Sequence, residues 1–147
     1  MKQGDLIWWN EGGCVGHVQK IIETPEEWAE WGWQGPAAYF GNLHPYDPNI
    51  IGVGYPAECF EDEGIAKLSE SEHSALAAAL DVALSSAPTA AKGCPFSVST
   101  RCENNRMVEW IFQFWIPDSN PAVIAVPADD SQPPPWTSPS ALRKSRP

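Results

Sequence analysis

Proline and glycine punctuate this chain so densely that long helices are excluded from most of it. With 15 prolines and 11 glycines in 147 residues, no helical bundle or coiled coil can be threaded through it, because each internal proline removes a backbone donor and clashes with the preceding turn. The expectation is an α+β chain, rich in strands, with few and short helices. Its length suits one main core.

Residues 4 to 22, GDLIWWNEGGCVGHVQKII, read as two strands joined by a tight Glu-Gly-Gly turn whose glycines can take positive φ. TPEEWAEWG follows as a short helix. Thr24 caps it, Pro25 takes its first position, Glu27 completes a capping box and Gly32 ends it, with Trp28 and Trp31 on one face. Residues 33 to 57 alternate turn formers with short apolar bursts, so loops carrying one or two short strands are expected. FEDEGIAKL, residues 60 to 68, reads as a strand with a Glu-Gly kink. The clearest helix comes next: Ser69 and Glu72 form a capping box, Leu76, Leu80 and Leu84 recur every four residues, and Pro88 stops the run.

PFSVSTRC-ENN-RMVEWIFQFWI reads as a hairpin. Val108, Trp110, Phe112, Phe114 and Ile116 fall on one face of its second strand; Phe96, Val98, Thr100 and Cys102 form the less polar face of the first. A two-residue turn at Asn104-Asn105 sets Ser99 against Trp110 and puts those faces out of phase. A three-residue loop, Glu103 to Asn105 with Asn105 left-handed, is therefore expected, pairing Val98 with Trp110 and Phe96 with Phe112. Residues 1 to 126 are expected to form a single compact domain, made of residues 4 to 68, a helix over 69 to 87, and a hairpin with its extension over 94 to 126. Residues 127 to 147, rich in proline, serine and charge, read as a disordered tail.

Residues 1 to 126 carry 17 acidic against 6 basic side chains, a balance of −11. Such a body repels phosphate backbones, so nucleic acid is not an expected partner. The most apolar stretch, MVEWIFQFWI, is short and interrupted by Glu109 and Gln113, which argues against a membrane span. MKQGDLIWWN lacks the apolar region of a secretory signal, and a cytoplasmic protein with four reduced cysteines is expected.

Cys14 and His17 are the first candidates for chemistry. In a strand an offset of three sends them to opposite faces, where they cannot share an ion or act as nucleophile and base; a bulge at Gly16 is what would reunite them. Cys94 and Cys102, placed in one strand, stand roughly 26 Å apart. A mixed site of Cys14, His44 and Cys59 is geometrically open. No nucleophile turn, phosphate loop or dinucleotide fingerprint is present in the sequence, so no catalytic residue, metal or cofactor is assigned.

The aromatic residues say more. Trp8 and Trp9 are neighbours in a strand and must face opposite ways, so one of the two lies outside the main core. With Trp31, Trp33, Tyr39, Tyr46 and Tyr55 nearby in sequence there is material for an aromatic binding surface. Glu58, Glu61, Asp62 and Glu63 add an acidic run beside it.

Residues 4 to 68, from GDLIWW through GCVGHV to YPAECFEDEGIAKL, resemble the SH3-like and Tudor-like small β-barrels, which open with Gly-Asp and a short strand and turn into a Gly-x-Val strand. The resemblance implies a binding module, with an aromatic groove of Trp9, Tyr39 and Tyr55. The helical TPEEWAEWG insertion departs from the pattern. The functional expectation is a non-catalytic module that binds another protein through Trp9, Trp31, Tyr39, Tyr55, Glu58, Glu61, Asp62 and Glu63, in the manner of an acidic immunity or inhibitor protein capping a basic partner. The alternative is a small Cys/His-dependent enzyme or metal-binding protein.

Overall fold

The structure, a computed structural model, describes residues 1–9, 13–43, 51–104 and 106–128. Among these residues eight strands and two α-helices follow one another as β1 (Leu6–Trp9), β2 (Cys14–Ile22), α1 (Pro25–Trp31), β3 (Ala37–Asn42), β4 (Val53–Pro56), β5 (Ala66–Lys67), α2 (Glu70–Ser86), β6 (Phe96–Glu103), β7 (Arg106–Phe114) and β8 (Ala122–Pro127). Every strand pairing is antiparallel. The fold is α+β, as composition implies, and the sheet is open. Among the described residues β4, β5 and β8 each pair on one side only, so no closed barrel is formed. No helix among them is long and apolar enough to cross a membrane.

β2 is the branch point. One of its edges carries β1, with Trp8 opposite Val15 and Ile7 opposite Gly16. The other edge is divided: Cys14 and Val15 pair with Ser99 and Val98 of β6, whereas Gly16 to Ile22 pair with β3. Strand alternation along β1 then feeds two separate cores. Trp8 and Val15 enter the larger one, with Leu76, Ala79 and Ala83 of α2 and Val98, Trp110, Phe112 and Phe114 of the second hairpin. Ile7 enters the smaller one, with Val18, Ala38, Phe40 and Ile65, against which Trp9, Ile21, Tyr55 and Phe60 pack. Trp8 and Trp9 thus diverge as neighbours in a strand must.

Two bulges keep these faces in phase. Val18 pairs with Phe40 but Lys20 with Tyr39, so Gln19 is an extra residue, and Val18 and Ile21 both reach the small core. In the second hairpin Glu103 pairs with Arg106, giving a two-residue turn with Asn104 left-handed at φ 52. The expected three-residue loop and its pairing of Val98 with Trp110 are therefore wrong. The register shifts between Arg101 and Cys102, making Val108 an extra residue. Beyond it Val98 pairs with Phe112 and Phe96 with Phe114. A bulge solves the phase conflict without lengthening the turn, and Met107 takes the core place expected of Val108. Asn105 lies outside the described residues.

Both helices start at the expected capping boxes, Thr24 with Glu27 and Ser69 with Glu72. Glu72 has a second task. Buried at 5 % exposure, it accepts the Trp8 indole N–H on one oxygen (2.7 Å) and the Ser69 backbone N–H on the other (2.8 Å). Trp8 in turn stacks on Trp110 at 5.7 Å, so Trp8 ties α2, through Glu72, to β7.

Other expectations differ from the structure. Residues 60 to 68 are mostly turn, with Gly64 at φ 66 and only Ala66–Lys67 extended. Cys94 precedes β6 instead of sharing a strand with Cys102. Pro127, assigned to the tail, ends β8; from residue 129 the tail lies outside the described residues.

Proline thins the outward donors along two of the sheet edges, β4 and β8. The Ala128 N–H donates to Val108 O (2.9 Å), so even-numbered residues of β8 face β7 and odd-numbered ones face outward. Pro121 and Pro127 fall on outward positions and leave Val123 and Ala125 as the outward donors between them. On β4 the Ala57 N–H bonds to Pro36 O (2.9 Å), which turns Gly54 and Pro56 outward. Pro56 has no N–H to offer, so neither edge presents a row of donors to an added strand.

Candidate functional site

Tyr39 and Phe40 are neighbours in β3 and leave it on opposite sides. Phe40 is fully buried in the small core, with Trp9, Tyr55 and Phe60 around it at ring distances of 6.0, 6.2 and 5.6 Å. Trp9 and Tyr55 meet edge to face at 5.6 Å. Tyr39 lies on the outer side among different partners: Trp31 at 5.3 Å and Trp33 at 5.9 Å, with the Trp33 indole N–H donating to the Tyr39 hydroxyl at 2.9 Å. The groove expected from Trp9, Tyr39 and Tyr55 is thereby split, because two of its members line the small core and the third faces away from it.

The outer set is the better candidate. α1 ends at Gly32, left-handed at φ 79, and the reversal carries Trp33 back over the sheet. Gly54 makes room there: a Cβ on it would come within 2.7 Å of Tyr39 and 2.8 Å of Trp33, so the rings rest directly on the β4 backbone. Lys20, paired with Tyr39 across β2 and β3, holds its ammonium 5.1 Å from the Trp31 ring centroid, a cation–π contact. Beside Trp33 a cleft of about 500 Å³ opens between residues 32 to 36 on one wall and Pro56 and Glu58 on the other.

The acidic run begins at that wall. Residues 57 to 59 form a 3₁₀ turn, and the chain continues to turn through hydrogen bonds from Glu63 N to Cys59 O (3.0 Å) and from Ile65 N to Phe60 O (2.9 Å). Phe60 and Ile65 tie the turn to the small core, which forces the polar residues between them outward. Glu58, Glu61, Asp62 and Glu63 are all exposed. Glu58 lines the cleft, and no described residue hydrogen-bonds to its carboxylate or forms an ion pair with it.

Cys14 and His17 stay on opposite faces, because β1 and β2 pair without interruption from Cys14 to His17. Cys14 sits opposite Trp9, on the side of the small core; His17 sits opposite Leu6, on the side of the large one. His17 Nδ1 is buried without a partner among the described residues. Among those residues no three His, Cys, Asp or Glu side chains come together as a metal set; His44 and Tyr46 lie outside them. Burial raises the Cys102 thiol above its ordinary pKa, partly offset by the Thr100 hydroxyl.

Lys20, Trp33, Pro36 and Pro56 join the site from outside the expected set. Trp33 stands out in the sequence by its place in an aromatic-rich stretch, but which of two adjacent rings in β3 faces out has no mark in the sequence. No family model, curated protein or solved structure matches the chain.

Proposed function

We propose that this chain is a non-catalytic protein-binding module that caps a basic partner, as an immunity or inhibitor protein does, and that it docks through the outer aromatic face and the acidic turn beside it. The observation that carries the reading is the juxtaposition of Trp31, Trp33 and Tyr39, a 500 Å³ cleft, and the exposed carboxylates of Glu58, Glu61, Asp62 and Glu63. Half-exposed aromatic rings supply contact area at small entropic cost, and the surrounding charge steers a cationic partner. Proline at the outward positions of β4 and β8 favours recognition by side chains over strand addition.

The strand order β5-β1-β2-β3-β4, in which the last strand of the N-terminal half returns to the first, supports reading that half as an SH3-like small barrel that stays open between β4 and β5. The partner is another protein, and a cytoplasmic setting suits the cysteines, which form no disulfide among the described residues. A photo-reactive residue at the exposed position Gln34, on the rim of the cleft, should give one discrete protein adduct in the native cell, weaker as salt is added to the lysate. The same group at Ala125, on the outer face of β8, should give none. Equal adducts at both positions, or none at Gln34, would defeat the proposal.

A further inference from the structure

We infer that the cleft beside Trp33 receives a long cationic side chain, lysine or arginine, from the partner; this rests on the binding reading above and names the group recognised. The walls are chemically unequal. Trp33, Pro36 and Pro56 offer flat apolar surface suited to a methylene stem, while Glu58 at the rim offers a carboxylate with no ion pair or hydrogen bond among the described residues. Long basic side chains divide in that way, stem on apolar surface and head toward charge.

The molecule already makes one such contact in the same aromatic cluster. Lys20 lays its ammonium over Trp31 at 5.1 Å, so the aromatic surface accommodates a cation on one ring while the neighbouring ring, Trp33, borders open space. The net charge of −10 adds a long-range field of the matching sign. An acidic or aliphatic occupant fits less well: the first meets Glu58 and the acidic turn, and the second makes no use of the Glu58 carboxylate.

The test uses the full chain and three capped tripeptides, Gly-Lys-Gly, Gly-norleucine-Gly and Gly-Glu-Gly, titrated at low salt while the Trp33 indole and the Gly32 and Gly35 amide signals are followed by NMR. The lysine peptide should shift these signals saturably, the norleucine peptide less, and the glutamate peptide not at all. Glu58→Gln should weaken the lysine peptide about three- to fivefold and leave norleucine within about twofold. The double variant Glu70→Gln, Asp81→Asn removes more charge than Glu58→Gln from exposed positions of α2, which do not line the cleft, and should change lysine binding by less than about twofold.

Shifts confined to residues 61 to 63, or a double variant on α2 as damaging as Glu58→Gln, would overturn the inference. A silent cleft with the Gln34 adduct intact also overturns it and leaves the module reading standing. Absence of the adduct removes that reading whatever the peptides do.

Discussion

The two cores flanking the first hairpin share β1 and β2 but are finished differently. On the α2 side, a 17-residue helix packs on β7 and β8, and Trp8, Trp110, Phe112 and Phe114 are each 2 % exposed or less. On the other side five buried residues are ringed by Trp9, Tyr55 and Phe60, which stay partly exposed, and the cover is turns instead of a helix. A helix brings an aliphatic stripe that seals a sheet face; turns bring isolated rings that seal it incompletely. The half with the thinner cover is also the half that carries the cleft and its carboxylates, so the well-sealed core serves as a scaffold for a surface that cannot itself be sealed.

That contrast can be broken by truncation. Trp110→Ala should cost about 3–5 kcal/mol, the range for emptying a fully buried aromatic site, whereas Tyr55→Ala, at a half-buried edge, should cost about 1–2 kcal/mol. Urea melts of the two variants decide it, and equal losses would mean that the small core is as tightly sealed as the large one. Glu72→Ala comes next. It leaves the Trp8 indole N–H and the Ser69 N–H without their shared acceptor, and a loss of about 2–3 kcal/mol is expected, seen as a lowered urea midpoint and as altered near-ultraviolet ellipticity from the Trp8–Trp110 stack. A loss below about 0.5 kcal/mol would show that water replaces the carboxylate there.

The smallest effect concerns the exposed cap of α1. Backbone N–H groups of Thr24 and then Glu23, with the Thr24 hydroxyl, hold the Glu27 carboxyl below the ordinary glutamate value. A lowered folded value means that Glu27 contributes stability at neutral pH, above its unfolded pKa, and that the contribution fades as pH falls through the folded value. The stability gap between wild type and Glu27→Gln should therefore be largest near neutrality and close in acid. A gap that widens in acid would contradict the capping geometry.

Much of this arrangement was legible in the sequence where one residue type does one local thing. Ser69 and Glu72, like Thr24 and Glu27, mark helix starts because a short oxygen and a carboxylate three residues on satisfy the same orphan donors. Adjacent Trp8 and Trp9 had to part because strands alternate. What stayed hidden depends on a single inserted residue. Nothing in the composition of Gln19 or Val108 marks it as a bulge, although each resets which side chains of its strand point inward. The Glu-Gly pair at residues 63 and 64 reads equally well as a kink in a strand or as a turn, and tertiary anchoring by Phe60 and Ile65 chose the turn. Likewise Tyr39 and Phe40 are interchangeable on paper, and only the packing of Ala38 and Phe40 against Val18 and Ile7 decides which ring is left for the surface.

A single ribbon whose opposite sides furnish two interiors leaves the polypeptide no route by which either interior can be completed before the ribbon itself exists. Closing β1 on β2 is a short-range event, and β3, β5 and β6 all pair onto that ribbon from farther along the chain. Damage at the Trp8 or Ile7 level should therefore slow the birth of the whole molecule, while damage at the rim of the aromatic surface should change only how long the finished molecule lasts.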